Sequence, residues 1–237
     1  MKLRLFHKKP DVIKDNIKKY YMNNNKLIVI HNDGTKTINP TNINIYISAN
    51  NSSNNRIVLY DSIYKNNIKF NFFNSNNNKI VIGKNNEIDI DFRVQGNNGI
   101  LNIGDNNYIC SAILYFYCSG KTIFTIGNGN LFSEQVIFWA GEGHSVIDAK
   151  SKKITNIGSS ITIGNNNWIC MKSCFLKHAR ISNGCIIGYG STITKSFDTD
   201  NCIIAGNPAV IVKKDILWSE QSPWTYDGRF YRQIKPE

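Results

Sequence analysis

The sequence is short of acidic residues, of histidine, of paired cysteines and of long apolar runs. Of 237 residues only 17 are Asp or Glu against 28 Lys or Arg, a formal net charge of +11. Such an imbalance reports attraction to anions, not a fold. Nucleic acid is one such anion, but the Lys and Arg are scattered, and neither zinc-finger spacing, a basic zipper nor an aromatic RNA-binding motif is present, so no nucleic-acid partner is expected. No apolar run approaches the ~18–20 residues needed to cross a bilayer. The basic start, Met1 to Lys9, leads into Pro10-Asp11 in place of an apolar signal core, so a cytoplasmic chain without a membrane span is expected. The six cysteines (Cys110, Cys118, Cys170, Cys174, Cys185, Cys202) form no C-x-x-C pair in a chain too long for a disulfide scaffold, and reduced, packed thiols are expected. At 41% apolar residues the chain can build a core, which excludes disorder throughout.

What is abundant is repetition. Four segments begin alike: Ile82-Gly83-Lys84-Asn85-Asn86, Ile103-Gly104-Asp105-Asn106-Asn107, Ile126-Gly127-Asn128-Gly129-Asn130 and Ile163-Gly164-Asn165-Asn166-Asn167, spaced by 21, 23 and 37 residues. A finer period runs through Ile157, Ile163, Ile169, Phe175, Ile181, Ile187 and Ile193, one apolar residue at every sixth position. Six matches neither the 3.6-residue period of an amphipathic helix nor simple strand alternation; it suits a short strand plus a corner, three of which make an 18-residue solenoid coil. Ser173, Ala179, Cys185 and Ser191 each precede the next large residue by two, where a crowded interior calls for small side chains. The 3, 5 and 19 residues by which the spacings exceed 18 are expected to leave as loops, the long one holding Ser145 to Thr155. The Asn at the fifth place of each opening segment (Asn86, Asn107, Asn130, Asn167) is expected to stack coil on coil, tolerating left-handed angles and pairing along a ladder. The 35 Asn are thus partly architectural.

Upstream, Lys26-Leu27-Ile28-Val29-Ile30 and Thr35-Lys36-Thr37-Ile38 flank Asn32-Asp33-Gly34, a hairpin signal. Asp11 to Met22 carries Val12, Ile13, Ile17, Tyr20 and Tyr21 at helical spacing. The reading is a cap over residues 1–55 (short helix plus hairpin), a mainly β solenoid of about five coils over 56–212 with an inserted loop at 145–156, and a tail over 213–237 whose Leu217, Trp218, Trp224, Tyr226, Phe230 and Tyr231 should pack on the solenoid or a neighbouring subunit.

Four stretches carry a resemblance to a known family: Gly141-Glu142-Gly143-His144-Ser145-Val146-Ile147-Asp148, then Ile163-Gly164-Asn165-Asn166-Asn167-Trp168-Ile169, then Ile187-Gly188-Tyr189-Gly190-Ser191-Thr192-Ile193-Thr194-Lys195, then Ile203-Ile204-Ala205-Gly206-Asn207-Pro208-Ala209. In this order they resemble the hexapeptide-repeat acyltransferases. With His144 followed 24 residues later by Trp168 they look most like the O-acetyltransferases of capsular and other surface polysaccharides, polysialic acid among them. Glu142 departs from the small polar residue common there, and the usual prolines between Lys195 and Ile203 are missing.

The resemblance implies a left-handed parallel β-helix, acetyl-coenzyme A as donor, a homotrimer, and a surface glycan, an acidic polysaccharide, as acceptor. It implies His144 as general base for direct transfer, and Trp168 as an outward indole at the active-site cleft, touching donor or acceptor. Trp168 shares its slot in the coil with Glu87, Tyr108 and Leu131, too dissimilar for a core position, which also argues for an outward side chain. Glu142 and Asp148 are the carboxylates nearest His144 in sequence. For the donor, Gly143, Gly188, Tyr189 and Gly190 offer close backbone approach, and Thr194, Lys195, Ala205, Gly206, Pro208, Lys213 and Lys214 would surround its far end, the lysines serving the phosphates. His178, inside a regular hexad, should point outward. With only His144 and His178 in the solenoid, the three histidines of a metal-dependent relative are missing and no metal is expected. Two other readings stay open: a small-molecule or amino-sugar acetyltransferase, and a non-catalytic solenoid that binds polyanions.

Overall fold

A computed structural model describes residues 20–21, 23–40, 45–60, 66–118, 122–157 and 160–231. Strands dominate, and nearly all pair in parallel with the strand one coil away. One sheet has nine strands and forms the first face of a three-sided prism. The second, of twelve strands, bends: between Ile88 and Ile90 the register shifts, and the same sheet continues as the second and third faces. Each coil runs along the first face (Lys79–Ile82, Ile100–Ile103, Ile123–Ile126, Ser160–Ile163), turns a corner onto the second (Leu131–Phe132, Trp168–Ile169, Ile186–Ile187), then takes the third (Val136–Ala140, Cys174–Leu176, Thr192–Ile193).

Alternation within each short strand sends one set of side chains inward. Leu27, Ile57, Ile80, Leu101, Phe124 and Ile161 form one inward column of the first face, all fully buried. Phe138 on the third face meets Phe124 across the prism at 5.1 Å and Phe175 one coil on, also at 5.1 Å. The six-residue period holds from Ile163 to Ile193, and the small residues Ser173, Ala179, Cys185 and Ser191 fill the crowded corners. Ile157 breaks it: this side chain is 62% exposed and belongs to the loop, because the coil is rejoined only at Ser160.

The corner motif divides its work between neighbouring asparagines. The left-handed angle expected at the fifth place falls at the fourth: Asn85, Asn106, Gly129 and Asn166 have φ between 55° and 67°. The fifth-place asparagines are fully buried and make the ladder. Asn107 N–H donates to Asn86 Oδ1 at 2.8 Å, Asn130 N–H to Asn107 Oδ1 at 2.9 Å, Asn167 N–H to Asn130 Oδ1 at 2.9 Å, and Cys185 N–H to Asn167 Oδ1 at 2.8 Å. A second ladder uses the third place, where Asp105, Asn128, Asn165, Asn183 and Asp200 each accept from the backbone N–H one coil below. The glycine that opens the motif is required by close approach: a Cβ on Gly104 would lie 2.7 Å from the carbonyl oxygen of Gly127.

One departure concerns the start of the stack and another its middle coils. The parallel ladder starts well upstream of residue 56, since Lys26–Ile30 lies in register with Arg56–Tyr60 while also forming the expected hairpin with Lys36–Ile38. Asn25, Asn55 and Asn78 ladder these early coils at another corner, each preceded by a left-handed Asn (Asn24, Asn54, Asn77). The helix expected over Asp11 to Met22 falls outside the described residues except for Tyr20 and Tyr21, where Tyr20 is buried and stacks on Phe72 at 5.5 Å. The surplus in the 21- and 23-residue coils does not simply loop out; it lengthens the third-face part of Glu87–Gly96 and Tyr108–Cys118, continuous strands of 10 and 11 residues that cover the second and third faces together. Only the 37-residue spacing releases a long loop, residues 141–157.

Asn107→Leu removes an acceptor from Asn130 N–H and a donor from the Gly127 carbonyl. Each buried backbone group left unpaired costs roughly 1–3 kcal/mol, so a loss of about 3 kcal/mol is expected in urea unfolding. Asn85→Gly, at a left-handed position, should stay within about 1 kcal/mol of the parent.

Candidate functional site

The prism distributes the candidate residues over its three edges. The edge between the third and first faces carries the loop 141–157, which leaves after Ala140 and returns at Ser160. Its stem is a small hairpin: Ile147 bridges Ile154 in antiparallel fashion, and Thr155 N–H donates to the Val146 carbonyl at 2.8 Å. Asn156 fastens the segment that bears the histidine, donating through Nδ2 to the His144 carbonyl at 2.8 Å and accepting from Val146 N–H at 2.9 Å. His144 is exposed, and among the described residues its ring has no hydrogen-bond or ionic partner. The two nearby carboxylates are engaged elsewhere. Glu142 forms an ion pair with Lys177 Nζ at 2.9 Å, and Asp148 accepts from Ser151 N–H and Lys150 N–H within its own turn, which holds its carboxyl below the usual range. Thr194 and Lys195 lie on the same edge two coils on, with Lys195 Nζ 5.5 Å from the Phe197 ring centroid. His178 is exposed at a left-handed corner residue on this edge too.

Trp168 stands at the opposite end of the first face, at the start of the second. It shares its outward column with Glu87, Tyr108, Leu131 and Ile186, as its slot in the repeat implies. Its ring is half-buried because Trp218 from the C-terminal tail packs beside it, ring centroids 6.1 Å apart. Trp218 is itself buried, donates through Nε1 to the Asn166 carbonyl at 2.7 Å, and meets Tyr231, whose hydroxyl donates to Asn201 Oδ1 at 2.7 Å. The tail thus packs on its own solenoid through Trp218 and Tyr231, while Trp224 stays 86% exposed. Lys213 pairs in register with Ile203, which puts it and Lys214 near this same edge, both exposed.

The third edge joins the second and third faces and gathers Gly188, Tyr189 and Gly190 with the strand Ile203–Gly206. Gly188 owes its missing side chain to coil stacking, since a Cβ there would lie 2.8 Å from Ala205 Cβ. Gly190 is left-handed and open, with nothing within 4 Å of where a Cβ would be. Gly206 N–H donates to Ser191 Oγ at 3.2 Å, and Gly206, Asn207 and Pro208 are exposed at the tip of the terminal hairpin. Lys172 Nζ lies 5.7 Å from the centroid of the exposed Tyr189 ring. Gly143, by contrast, is on the His144 loop near Tyr117.

One chain therefore brings Gly188, Gly190, Ala205, Gly206 and Pro208 together and sets His144 beside the edge of Thr194 and Lys195, but separates His144 from Trp168 by the breadth of the first face. Three features had no signal in the sequence: the clamp by Asn156, the covering of Trp168 by Trp218, and an outward aromatic group on the third face where Tyr115, Tyr117 and Trp139 meet at 4.3–6.1 Å. The cysteines give no nucleophile. Burial pushes the Cys118 and Cys202 thiols up to about 12, and Cys185 is raised as well. No group of three or more His, Cys, Asp or Glu among the described residues could hold a metal ion, and no helix there is long and apolar enough to cross a membrane.

No family model matches the chain. The polysialic acid O-acetyltransferase of Escherichia coli O1:K1 / APEC is 30% identical over 99 residues, which cover 42% of this chain and 32% of that protein, so the matched part spans about a third of that relative. The crystal structure of the polysialic acid specific acetyltransferase NeuO aligns with a TM-score of 0.57 at 28% identity, over 76% of this chain and 91% of that one. The polysialic acid O-acetyltransferase OatWY aligns with a TM-score of 0.50 at 26% identity, over 78% and 92%. With the hexad core and the Asn corners in agreement with these alignments, the chain has the left-handed parallel β-helix fold of the hexapeptide-repeat acetyltransferases and is similar to the polysialic acid O-acetyltransferases.

Proposed function

We propose that the protein transfers an acetyl group from acetyl-coenzyme A to a hydroxyl of an acidic surface glycan of the polysialic acid class, with His144 as general base. The observation that carries this reading is the loop 141–157, which holds on a prism edge an exposed imidazole whose ring has no partner among the described residues, clamped through its backbone by Asn156. A sugar hydroxyl is a poor nucleophile at neutral pH. A positioned imidazole that takes its proton as it attacks the thioester carbonyl, and then returns that proton to the departing thiolate, contributes roughly 10²–10⁴ in rate. Transfer is direct, so no serine or cysteine is acylated on the way.

The donor suits the far coils. Gly190 and the tip Gly206-Asn207-Pro208 give open backbone for a slender pantetheine arm, and the exposed Lys195, Lys213 and Lys214 offer charge to its phosphates. A cytoplasmic location goes with this donor, which is an intracellular metabolite. Because His144 and Trp168 stand on different edges of one prism, the site is completed between chains. A homotrimer with parallel prisms sets the His144 edge of one chain against the Trp168 edge of the next.

His144→Ala should lower acetyl transfer to polysialic acid by about 10²–10⁴ while coenzyme A binding by calorimetry is unchanged; wild-type turnover in this variant would remove the mechanism. No saturable coenzyme A binding by the parent would favour the polyanion-binding solenoid, and acetylation of amino sugars without polymer would favour the small-molecule enzyme.

Mixing His144→Ala with Trp168→Ala chains, each inactive alone, should restore about a quarter of parental activity if every site draws on two neighbours of a ring, and none if both residues serve from one chain.

Asn156→Ala should speed amide exchange at Val146 and cut kcat about tenfold, with the affinity for coenzyme A retained.

A further inference from the structure

On the outward side of the first face, Lys26, Arg56 and Lys79 occupy one column. Lys26 is in register with Arg56, and Arg56 with Lys79, so the three cations stand one per coil on consecutive rungs about 4.8 Å apart. All three are exposed, and among the described residues none has a carboxylate partner. Like charges placed directly opposite on neighbouring strands oppose folding, and the position itself asks only for a side chain that tolerates water, since the same column continues through Ile100, Ile123 and Ser160. Lysine is also depleted in the cores of subunit interfaces, so these three rungs, which precede the coil of the His144 loop, suit the wet rim of a subunit contact and not its buried core.

The column sits at the start of the first face, on the edge from which the His144 loop emerges. That loop leaves after Ala140, in the coil that Ile123 begins two coils beyond Lys79, returns at Ser160, and holds Lys150, Lys152 and Lys153 exposed around its turn. Cations thus stand on the first three rungs of one edge and again on the loop, with uncharged Ile100 and Ile123 on the rungs between, over about 20 Å from Lys26 to Ile123 at one rung per coil. A regular row of this kind fits a linear chain with evenly repeated negative charge better than a compact anion.

We infer that the Lys26-Arg56-Lys79 column is a remote anchoring track for a linear polyanionic glycan with a carboxylate on each sugar, which holds the polymer along the edge and presents one of its residues to the His144 loop. The inference rests on the acidic-glycan reading of the acceptor for its link to transfer, but it is tested by binding alone.

The triple variant Lys26→Gln, Arg56→Gln, Lys79→Gln would be compared with the parent by fluorescence anisotropy, using end-labelled polysialic acid without coenzyme A across a salt series, with neutral dextran and a DNA duplex as further probes. The parent should bind the acidic glycan, ignore dextran, and weaken as salt rises. The variant should bind the glycan about tenfold more weakly and with a shallower salt dependence. Its thermal midpoint should equal or exceed that of the parent because repulsion is relieved; if it falls, Arg56→Gln alone carries the same comparison, with a smaller loss of two- to threefold. In turnover, the variant should show a raised KM for long polymer and unchanged kcat, with transfer to a disialic acid acceptor unaffected. Failure of the parent to bind the glycan, equal binding by the variant, or DNA bound as tightly as the glycan would each overturn the track. Binding lost in the variant while the parent shows no acetyl transfer would sink the proposed activity and leave the track standing.

Discussion

Everything in this solenoid depends on coils lying in strict register, and register is enforced at the corners by side chains that bond to the backbone of the neighbouring coil. Backbone pairing along the strands, many of only two to four residues, leaves the corners, which make up much of each coil, with N–H and C=O groups that a parallel sheet does not serve. Asn86, Asn107, Asn130 and Asn167 answer that need from within the prism, and Asp105, Asn128, Asn165, Asn183 and Asp200 answer it from the rim. Where the inner ladder ends, Cys185 takes the place of the next asparagine. It still donates its N–H to Asn167, but Asn167 Nδ2 is left without an acceptor among the described residues. From that level the small thiols of Cys185 and Cys202, 3.6 Å apart, fill the corner in its place.

This stiffness is what makes an exposed loop usable for chemistry. Residues 141–157 are anchored at both ends on adjoining strands that are held from above and below, so Asn156 can fix the His144 backbone relative to a rigid edge. The ion pair between Glu142 and Lys177 ties the start of the loop to the following coil. Trp168, which the proposed mechanism pairs with His144 of a neighbouring chain, is steadied by Trp218 from a tail that has no hexad of its own.

The core was legible because it is periodic. The inward columns, the small corner residues and the stacked fifth-place asparagines follow directly from apolar residues at every sixth position and from the repeated Ile-Gly-x-Asn-Asn. The strands of ten and eleven residues that span the second and third faces were not, because extra residues can lengthen a strand as readily as form a loop, and the six-residue period is lost in either case. The first coil was hidden for a similar reason: Lys26–Ile30 reads locally as half of a hairpin, and its parallel partner, Arg56–Tyr60, is separated from it by an unpatterned stretch. In the candidate site, His144 and Trp168 were recognisable by motif and slot. Their separation across the first face was not, since spacing along a coil says which edge a residue is on only after the faces are known. The clamp by Asn156 and the cover by Trp218 are contacts between segments without repeats, where periodicity carries no information.

The strand Ala209–Lys213 runs against Ile203–Gly206 and, among the described residues, is the only antiparallel partner at the far end of the stack. A parallel coil added there would find its hydrogen-bonding edge already occupied. Changes of length in relatives of this chain should therefore come in two sizes. Insertion of a whole coil in the middle of the stack keeps both asparagine ladders in step, and an insertion confined to a corner is pushed outward as a loop. A stray residue inside a short strand would misalign every rung beyond it. The fold thus tolerates growth in steps of a turn, or sideways at its edges, and it is at an edge that the histidine-bearing loop is found.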